Sequence, residues 1–350
     1  MQKNKIDIRS LDIDSLKETL VSMNEKTFRA KQIYQWLWQK GVSSFNEMTN
    51  LSDTLRNKLK AQFKIYPLKV QYFLKSNDKT IKVVFNTWDK LLLEGVVIPS
   101  KSRSTACISS QTGCALGCTF CATSQLKKFR NLTADEIVDQ VVILNKLAIE
   151  NYKQKLTNIV MMGMGEPFMN YFEVKKALEI LVSTEGLALS PTRITVSTVG
   201  IVEKIRDFAE DFPKINLAIS LHSVNDDKRT KLMPINKKYP ISALKEAIIY
   251  YHDKTRNRIT FEYLMLNDFN DNIKDAEDLA LFCKSFPVKI NIIRYNKTEH
   301  ADFKDTDEYR LKKFVSYLEE KNMLVNVRKS RGKDIFAACG QLANTKHNKE

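Results

Sequence analysis

The sequence predicts an α/β protein: a partial (β/α)6 barrel preceded by a small N-terminal helical accessory domain. Three observations predict it. From about residue 104, six apolar runs recur (TACISS, TNIVMMG, RITVSTVG, INLAISLH, ITFEYLML and VKINIIRY). Each has the unbroken hydrophobicity of a strand covered on both faces. Helical stretches such as TADEIVDQVVILNKLAIE, YFEVKKALEILVS and SALKEAIIYYHDK separate them, and strand–helix alternation marks a parallel sheet. Residues 1–75, by contrast, read as helical and polar. Six units suit an open barrel better than a closed eight-stranded one, although their spacing also fits a doubly wound sheet.

Within residues 1–75, SLDIDSLKETLVSM carries its acids early, as a helix start does. TFRAKQIYQWLWQKG sets Ile33, Trp36 and Leu37 on one face and ends at Gly41, a C-cap residue. NLSDTLRNKLKAQF forms a third helical segment, and a small bundle of this kind explains its core aromatics without a ligand. Residues 76–103 hold two linking strands, TIKVVF and KLLLEGVVIP, and the barrel occupies 104–300. A C-terminal extension over 301–350 contains a helix near 306–321, a strand (LVNVRK) and a polar tail.

The chain has 350 residues, 43% of them hydrophobic, which suffices for a large core and argues against disorder. No apolar run approaches the ~18 residues of a membrane span, and the N-terminus lacks the apolar stretch of a secretory signal. The sequence therefore reads as a soluble, cytoplasmic protein with no membrane partner. Lys plus Arg outnumber Asp plus Glu by 56 to 41, a net charge of +15 that favours polyanions such as nucleic acid.

Of six cysteines, four fall between 107 and 121. In a reducing compartment, clustered thiols more often bind metal or do chemistry than form structural disulfides. Gly113-Cys114-Ala-Leu-Gly117-Cys118-Thr-Phe-Cys121 has C-x3-C-x2-C spacing just after the first barrel strand. Three thiolates on one loop can hold three irons of a cubane and leave the fourth open. Zinc generally takes four ligands, and no fourth thiol or imidazole stands at a suitable spacing. Phe120 would shield such a cluster. Met164-Gly165-Glu166-Pro167 ends the second strand, while Ser197 and Ser220-Leu-His222 end later ones, where barrel sites collect. Taken singly, MGEP is an ordinary turn, His222 a structural histidine, and Cys107, Cys283 and Cys339 small buried hydrophobes. Glu94, inside the apolar LLLEGVVIP, is costly there unless paired, functional or on an exposed face.

The cysteine motif resembles that of the radical S-adenosylmethionine (SAM) superfamily. Further blocks are similar to the adenine methyltransferases of 23S rRNA and tRNA that act at carbon 2. These are FRAKQIYQWLWQKG, EMTNLS, CISSQTGCALGCTFCAT, RNLTADEIVDQV, MGMGEPFMN, SLHS and RKSRGKDIFAACGQL. The similarity spans almost the whole chain, and its first two blocks look like that family's accessory domain. One departure is Ser124-Gln-Leu-Lys-Lys-Phe129, where the family often has a glycine-rich turn; this touches substrate contacts rather than ligands.

The resemblance implies a [4Fe–4S] cluster on Cys114, Cys118 and Cys121, with SAM chelating the open iron. It implies SAM contacts from Gly165, Glu166, Ser197, Ser220, Leu221, His222 and Asn296. Cys339 matches the methyl-carrying cysteine and Cys107 the resolving one, the two joining in a disulfide as the methylated base leaves. Glu94 matches the acid/base carboxylate. Adenine C2 is electrophilic and carries an inert C–H bond, so polar attack on the SAM methyl fails there. In the family, a methyl group on the cysteine sulfur is activated by a 5′-deoxyadenosyl radical, and the methylene radical adds to C2.

Basic runs lie beside these motifs: Lys101, Arg103, Lys127, Lys128 and Arg130; Lys228, Arg229, Lys231, Lys237 and Lys238; Arg328, Lys329, Arg331 and Lys333. Each could be a solvated face, but near the chemistry they suit RNA phosphates. The resemblance implies 23S rRNA and tRNA as partners, a flavodoxin or ferredoxin system as electron donor, and a monomer. A homologous adenine C8 methyltransferase conferring antibiotic resistance shares the cluster and methyl-carrying cysteine; CALGCTFC and RNLTADEIVDQ favour the C2 group. Two other readings are an RNA-binding protein with a structural or redox-sensing iron–sulfur cluster, and a peptide-modifying radical SAM enzyme. Cleavage of SAM after reduction separates the first of these from the enzymes.

Overall fold

A computed structural model describes residues 5–298 and 301–343. Two of the N-terminal helices begin where the sequence supplies caps. Asp12 accepts from Ser15 N–H ahead of α1 (Ile13–Ser22), and Ser52 accepts from Leu55 N–H ahead of α3 (Asp53–Gln62). Between them lies α2 (Arg29–Trp38), after which Gly41 turns the chain at φ +58°. A Cβ there would stand 2.5 Å from Val142 Cγ1, so glycine serves both the turn and the packing. Trp36 is not a full core residue as its spacing suggests. Ile33, Leu37 and Trp38 are buried, whereas Trp36 is half-buried and donates to Asn50.

Residues 63–75 depart from the helical reading. β1 (Ile6–Asp7) pairs in parallel with β2 (Phe63–Lys64), and β3 (Lys69–Lys75) is a seven-residue edge strand. KVQYFLK gives a weak signal because an edge strand is largely exposed on both sides. β4 (Ile81–Asn86) and β5 (Leu92–Pro99) follow as antiparallel strands and pass into β6 (Ser104–Cys107).

From β6 the direction changes. Helix α4 (Ala134–Tyr152) leads to β7 (Asn158–Met161), α5 (Tyr171–Val182) to β8 (Ile194–Thr198), and α6 (Val202–Asp211) to β9 (Asn216–Ser220). Then come α7 (Asp226–Leu232), α8 (Ile241–Thr255), β10 (Ile259–Met265), α9 (Ile273–Phe282) and β11 (Val288–Arg294). Finally α10 (Glu308–Glu320) precedes β12 (Leu324–Arg328). Strands β6 to β12 are parallel and neighbour one another in chain order. One sheet of ten strands results, with β3 at one edge and β12 at the other. The barrel is therefore open, and the linking strands extend the same sheet. Cys283 packs in the core, 4% exposed.

The N-terminal unit is fastened to α4 through one buried guanidinium. Arg9 meets Asp7 at 2.9 Å, Asp135 at 3.0 Å and Asp139 at 2.8 Å. Asp7 also accepts from Tyr66 N–H, and Asp139 from Leu68 N–H. Burial pushes the Asp135 carboxyl up to about 7 against the pull of Arg9. Removing the cation strands buried carboxylates, whereas neutralising one carboxyl leaves the cation satisfied. Arg9→Ala should lower the unfolding free energy by about 3–5 kcal/mol in urea titrations. Asp135→Asn should change it by less than about 1 kcal/mol at pH 7.

Candidate active site

The parallel strands all end at one rim, and the chemistry-bearing residues collect there. Cys107 closes β6, and the loop beyond it carries Cys114, Cys118 and Cys121. Gly165 and Glu166 follow β7, Ser197 is the penultimate residue of β8 and Ser220 ends β9, with His222 just after. These residues and Cys339 line one cleft. Leu221 and Asn296 are not among the residues that line it. Leu221 is wholly buried and donates its N–H to Glu262 O, while Asn296 Nδ2 donates to Cys339 O at 3.4 Å. Asn296 Oδ1 is buried without a hydrogen-bond partner. Glu94 also lies off the wall, fully buried, in an ion pair with Lys82.

Glycines shape the rim after β7. Gly165 adopts φ +94°, and a Cβ on it would stand 2.5 Å from Gln111 Cβ; a Cβ on Gly163 would meet Ile108 O at 2.7 Å. This close seating lets Gln111 Oε1 accept from Glu166 N–H at 2.8 Å. The Glu166 carboxylate accepts from Phe168 N–H at 3.0 Å and Val199 N–H at 2.9 Å. Even so, burial pushes it up to about 7. A cationic ligand nearby would restore its charge.

The cysteine loop is partly buried: Cys118 is buried, while Cys114 and Cys121 are half-buried. Burial pushes the Cys114 thiol up to about 12 and holds Cys118 well above its usual value, with neighbouring thiols adding to the effect. Phe120 stands edge-on to His222, ring centroids 4.9 Å apart. The His222 Nδ1 accepts from Leu264 N–H at 3.0 Å, leaving Nε2 as the donor of a neutral ring. Burial and the nearby Arg229 hold its pKa down to about 3. His222 also sits at φ +56°, a conformation secured by Asn270 Nδ2 donating to its carbonyl at 2.7 Å. Among the described residues, no three His, Cys, Asp or Glu side chains converge tightly enough for a single metal ion.

Cys339 reaches the cleft because its segment is stitched to the cysteine loop. Ala122 N–H donates to Gly340 O at 2.8 Å, and Thr123 Oγ1 to Leu342 O at 2.6 Å. Cys107 lies across the same cleft, its thiol pushed up to about 12 by burial and by Cys339. All six cysteines are free thiols, so no disulfide joins Cys107 to Cys339 in this state.

The basic runs divide. Arg229 is fully buried and spends its donors on Val199 O, Leu221 O and Asn236 Oδ1. Arg130 is bidentate to both Asp89 and Glu136, and Lys228 pairs with Asp275. These three are internal braces, not phosphate contacts. Arg328 faces the cleft beside Glu262 at 3.4 Å. Lys101, Arg103, Lys127, Lys128, Lys231, Lys237, Lys238, Lys329, Arg331 and Lys333 are exposed. The sequence analysis does not single out Gln111, Glu262 or Lys82. Lys82 and Glu262 each leave a signal, as a lone charge within TIKVVF and ITFEYLML, and Gln111 leaves none.

Known proteins match this chain along nearly all of it. Residues 6–65 match the family described as ribosomal RNA large subunit methyltransferase N-terminal domain, and residues 108–282 match the radical SAM superfamily. A probable dual-specificity RNA methyltransferase RlmN of Flavobacterium johnsoniae is 45% identical over 98% of this chain and 99% of its own length. Its namesake in Bacillus velezensis is 42% identical, over 96% and 92%. The crystal structure of a radical SAM methyltransferase from Sphaerobacter thermophilus superposes with a TM-score of 0.90 at 40% identity, covering 96% of this chain and 99% of that one. Among the described residues, no helix is long and apolar enough to cross a membrane.

The raised Glu166 pKa has a testable sign. The folded state holds this proton more tightly than the unfolded chain, so the neutral form is favoured by folding. That stability is complete below the ordinary value of 4.5 and is lost as pH rises through about 7. Urea titrations between those limits should show the parent losing roughly 2–3 kcal/mol relative to Glu166→Gln. A pH-independent difference would refute the assignment.

Proposed function

The chain belongs to the radical SAM superfamily and, within it, to the dual-specificity RNA methyltransferases, and from that membership we propose that it methylates adenine C2 in 23S rRNA and tRNA through a methyl group carried on Cys339. The observation that carries this is the meeting of Cys107 and Cys339, remote in sequence, in the cleft of the three-cysteine loop.

The residues fit the cofactors the family implies. Cys114, Cys118 and Cys121 offer three soft donors from one loop, each able to hold its own iron of a [4Fe–4S] cluster. The Gly165 cradle, the Glu166 carboxylate and the orphaned Asn296 Oδ1 suit a ligand with an ammonium and further polar groups, as SAM has. Ser197, Ser220 and His222 extend that wall, with Leu221 between the last two in sequence. When bound, the cluster would supply the electron that cleaves SAM and so the carbon radical needed to activate a methyl C–H.

The remaining work falls to the chain. Cys339 Sγ takes a methyl group from one SAM and later carries the carbon to C2. Once the adduct radical has given up one electron to the bound redox group, Cys107 helps remove the C2 proton and attacks the Cys339 sulfur. An S–S bond forms as the S–CH2 bond to the base breaks, and the carbon, keeping that bond's electron pair, takes a proton to become methyl. Glu94 is assigned to proton transfer. The exposed lysines and arginines around the rim hold phosphates, while the target base is turned out of its stack to reach the cleft. Residues 1–75, apart from the β3 strand that joins the barrel's sheet, act as the accessory domain, 76–103 as the join, 104–300 as the catalytic barrel and 301–350 as the extension bearing the carrier. A flavodoxin- or ferredoxin-type protein donates the electron, and a monomer acts in the cytoplasm.

Anaerobically reconstituted protein with SAM, reductant and 23S rRNA fragments should yield 2-methyladenosine by mass spectrometry. Finding 8-methyladenosine alone would transfer the chain to the C8 reading. Cys339→Ala should abolish methylation, while Cys107→Ala should trap a covalent protein–RNA adduct on denaturing gels. An adduct absent from Cys107→Ala would remove the resolving role.

A further inference from the structure

Two buried charges on neighbouring strands grip both ends of the segment that carries Cys339. In the β4–β5 pair, Val84 faces Glu94 and Lys82 faces Val96, which makes Lys82 and Glu94 diagonal neighbours on one face. Lys82 Nζ meets Glu94 Oε1 at 3.2 Å, with side chains 1% and 0% exposed. Apolar residues would join two strands at least as well, because burying both charges carries a large desolvation cost. The pair does something apolar residues could not. Lys82 Nζ donates to Phe336 O at 3.3 Å, and Glu94 Oε2 accepts from Ala343 N–H at 3.1 Å. Those two residues bracket Cys339. The arc between them is no regular element: Phe336 and Gly340 both have positive φ, +50° and +82°. Such a segment keeps its shape only if its carbonyls and N–H groups are held from outside.

We propose that the Lys82–Glu94 pair is a clasp that fixes the Cys339 arc over the cleft, with Lys82 a positioning residue for methyl transfer. The proposal rests on Cys339 being the methyl carrier. It gives Glu94 a second task beside proton transfer, and it explains why a lysine lies wholly inside a strand pair.

The test compares full-length parent, Lys82→Met and Lys82→Arg by amide hydrogen exchange and by RNA methylation kinetics. In Lys82→Met, exchange over 336–343 should rise about tenfold or more while β4 and β5 stay protected. RNA methylation at saturating substrate should fall about tenfold, with KM for RNA within about twofold of the parent. Lys82→Arg should restore all of these. Unchanged exchange in the arc, or equal loosening of β4 and β5, overturns the clasp. Should Lys82→Met fail to fold around a Glu94 that has lost its cation, the Lys82→Met/Glu94→Gln double variant decides. Its glutamine still accepts from Ala343 N–H, so exchange should rise at the Phe336 end and not at the Ala343 end; equal protection at both ends overturns the proposal. A parent protein that leaves RNA unmethylated sinks the proposed function alone, because the exchange comparison needs no turnover.

Discussion

An open sheet has two edges, and here the chain from Gly332 to Ala343 laces them together. It leaves β12 at one edge and runs to the β3–β4 turn at the other. There Asp334 accepts from Ser76 Oγ and Asn77 N–H, and Gly332 N–H donates to Asp78. Lys82 and Glu94 then hold Phe336 and Ala343. A closed barrel would join its edges by strand pairing and leave no gap. The open one leaves room at the rim, and the lace brings a cysteine into that room. The fold and the proposed chemistry therefore depend on the same dozen residues.

The lace also roofs the cleft in part. Thiols, a carboxyl and an imidazole stand among Leu116, Phe120, Leu264 and Ile293, and burial moves each toward its neutral form: Cys107 and Cys114 upward, Glu166 upward, His222 downward. Neutral groups in a low-dielectric space await something that compensates them. A cluster would draw the thiols into thiolates, and an ammonium would draw Glu166 into its anion. His222 needs neither, since its Nδ1 is already committed to Leu264 N–H. It serves as a fixed wall rather than an acid.

Much of this was legible in sequence. Parallel strands, strand-end motifs and the cysteine loop follow from local patterns, because a strand buried on both faces must be apolar throughout and its loops must carry the function. Other features have no local signature. β3 is an edge strand with little burial, so its period is faint. Arg229 looks like any member of a basic run, and only the tertiary fold sends it inward to three oxygen acceptors. Glu94 reads as an isolated charge until Lys82, twelve residues earlier in sequence, is seen to share its face. Pairing across strands is a property of register, and register is settled by the whole sheet.

The same division governs the net positive charge. A surplus of +15 counts every cation alike, yet Arg9, Lys82, Arg130 and Arg229 are engaged within the protein. Their task is to hold the accessory unit, the arc and the rim in register. The cations that a polyanion can meet are exposed ones, and among them Lys127 and Lys128 follow the cysteine loop, Lys237 and Lys238 follow α7, and Lys329 and Arg331 follow β12. All three lead away from the strand ends that form the cleft. Long-range attraction thus acts where the loops converge, and geometry supplied by the buried cations determines what happens there. Coulomb forces bring an RNA to the rim without choosing a base. The choice must come from the shape of a cleft whose floor is fixed by the sheet and whose roof is held down by the lace.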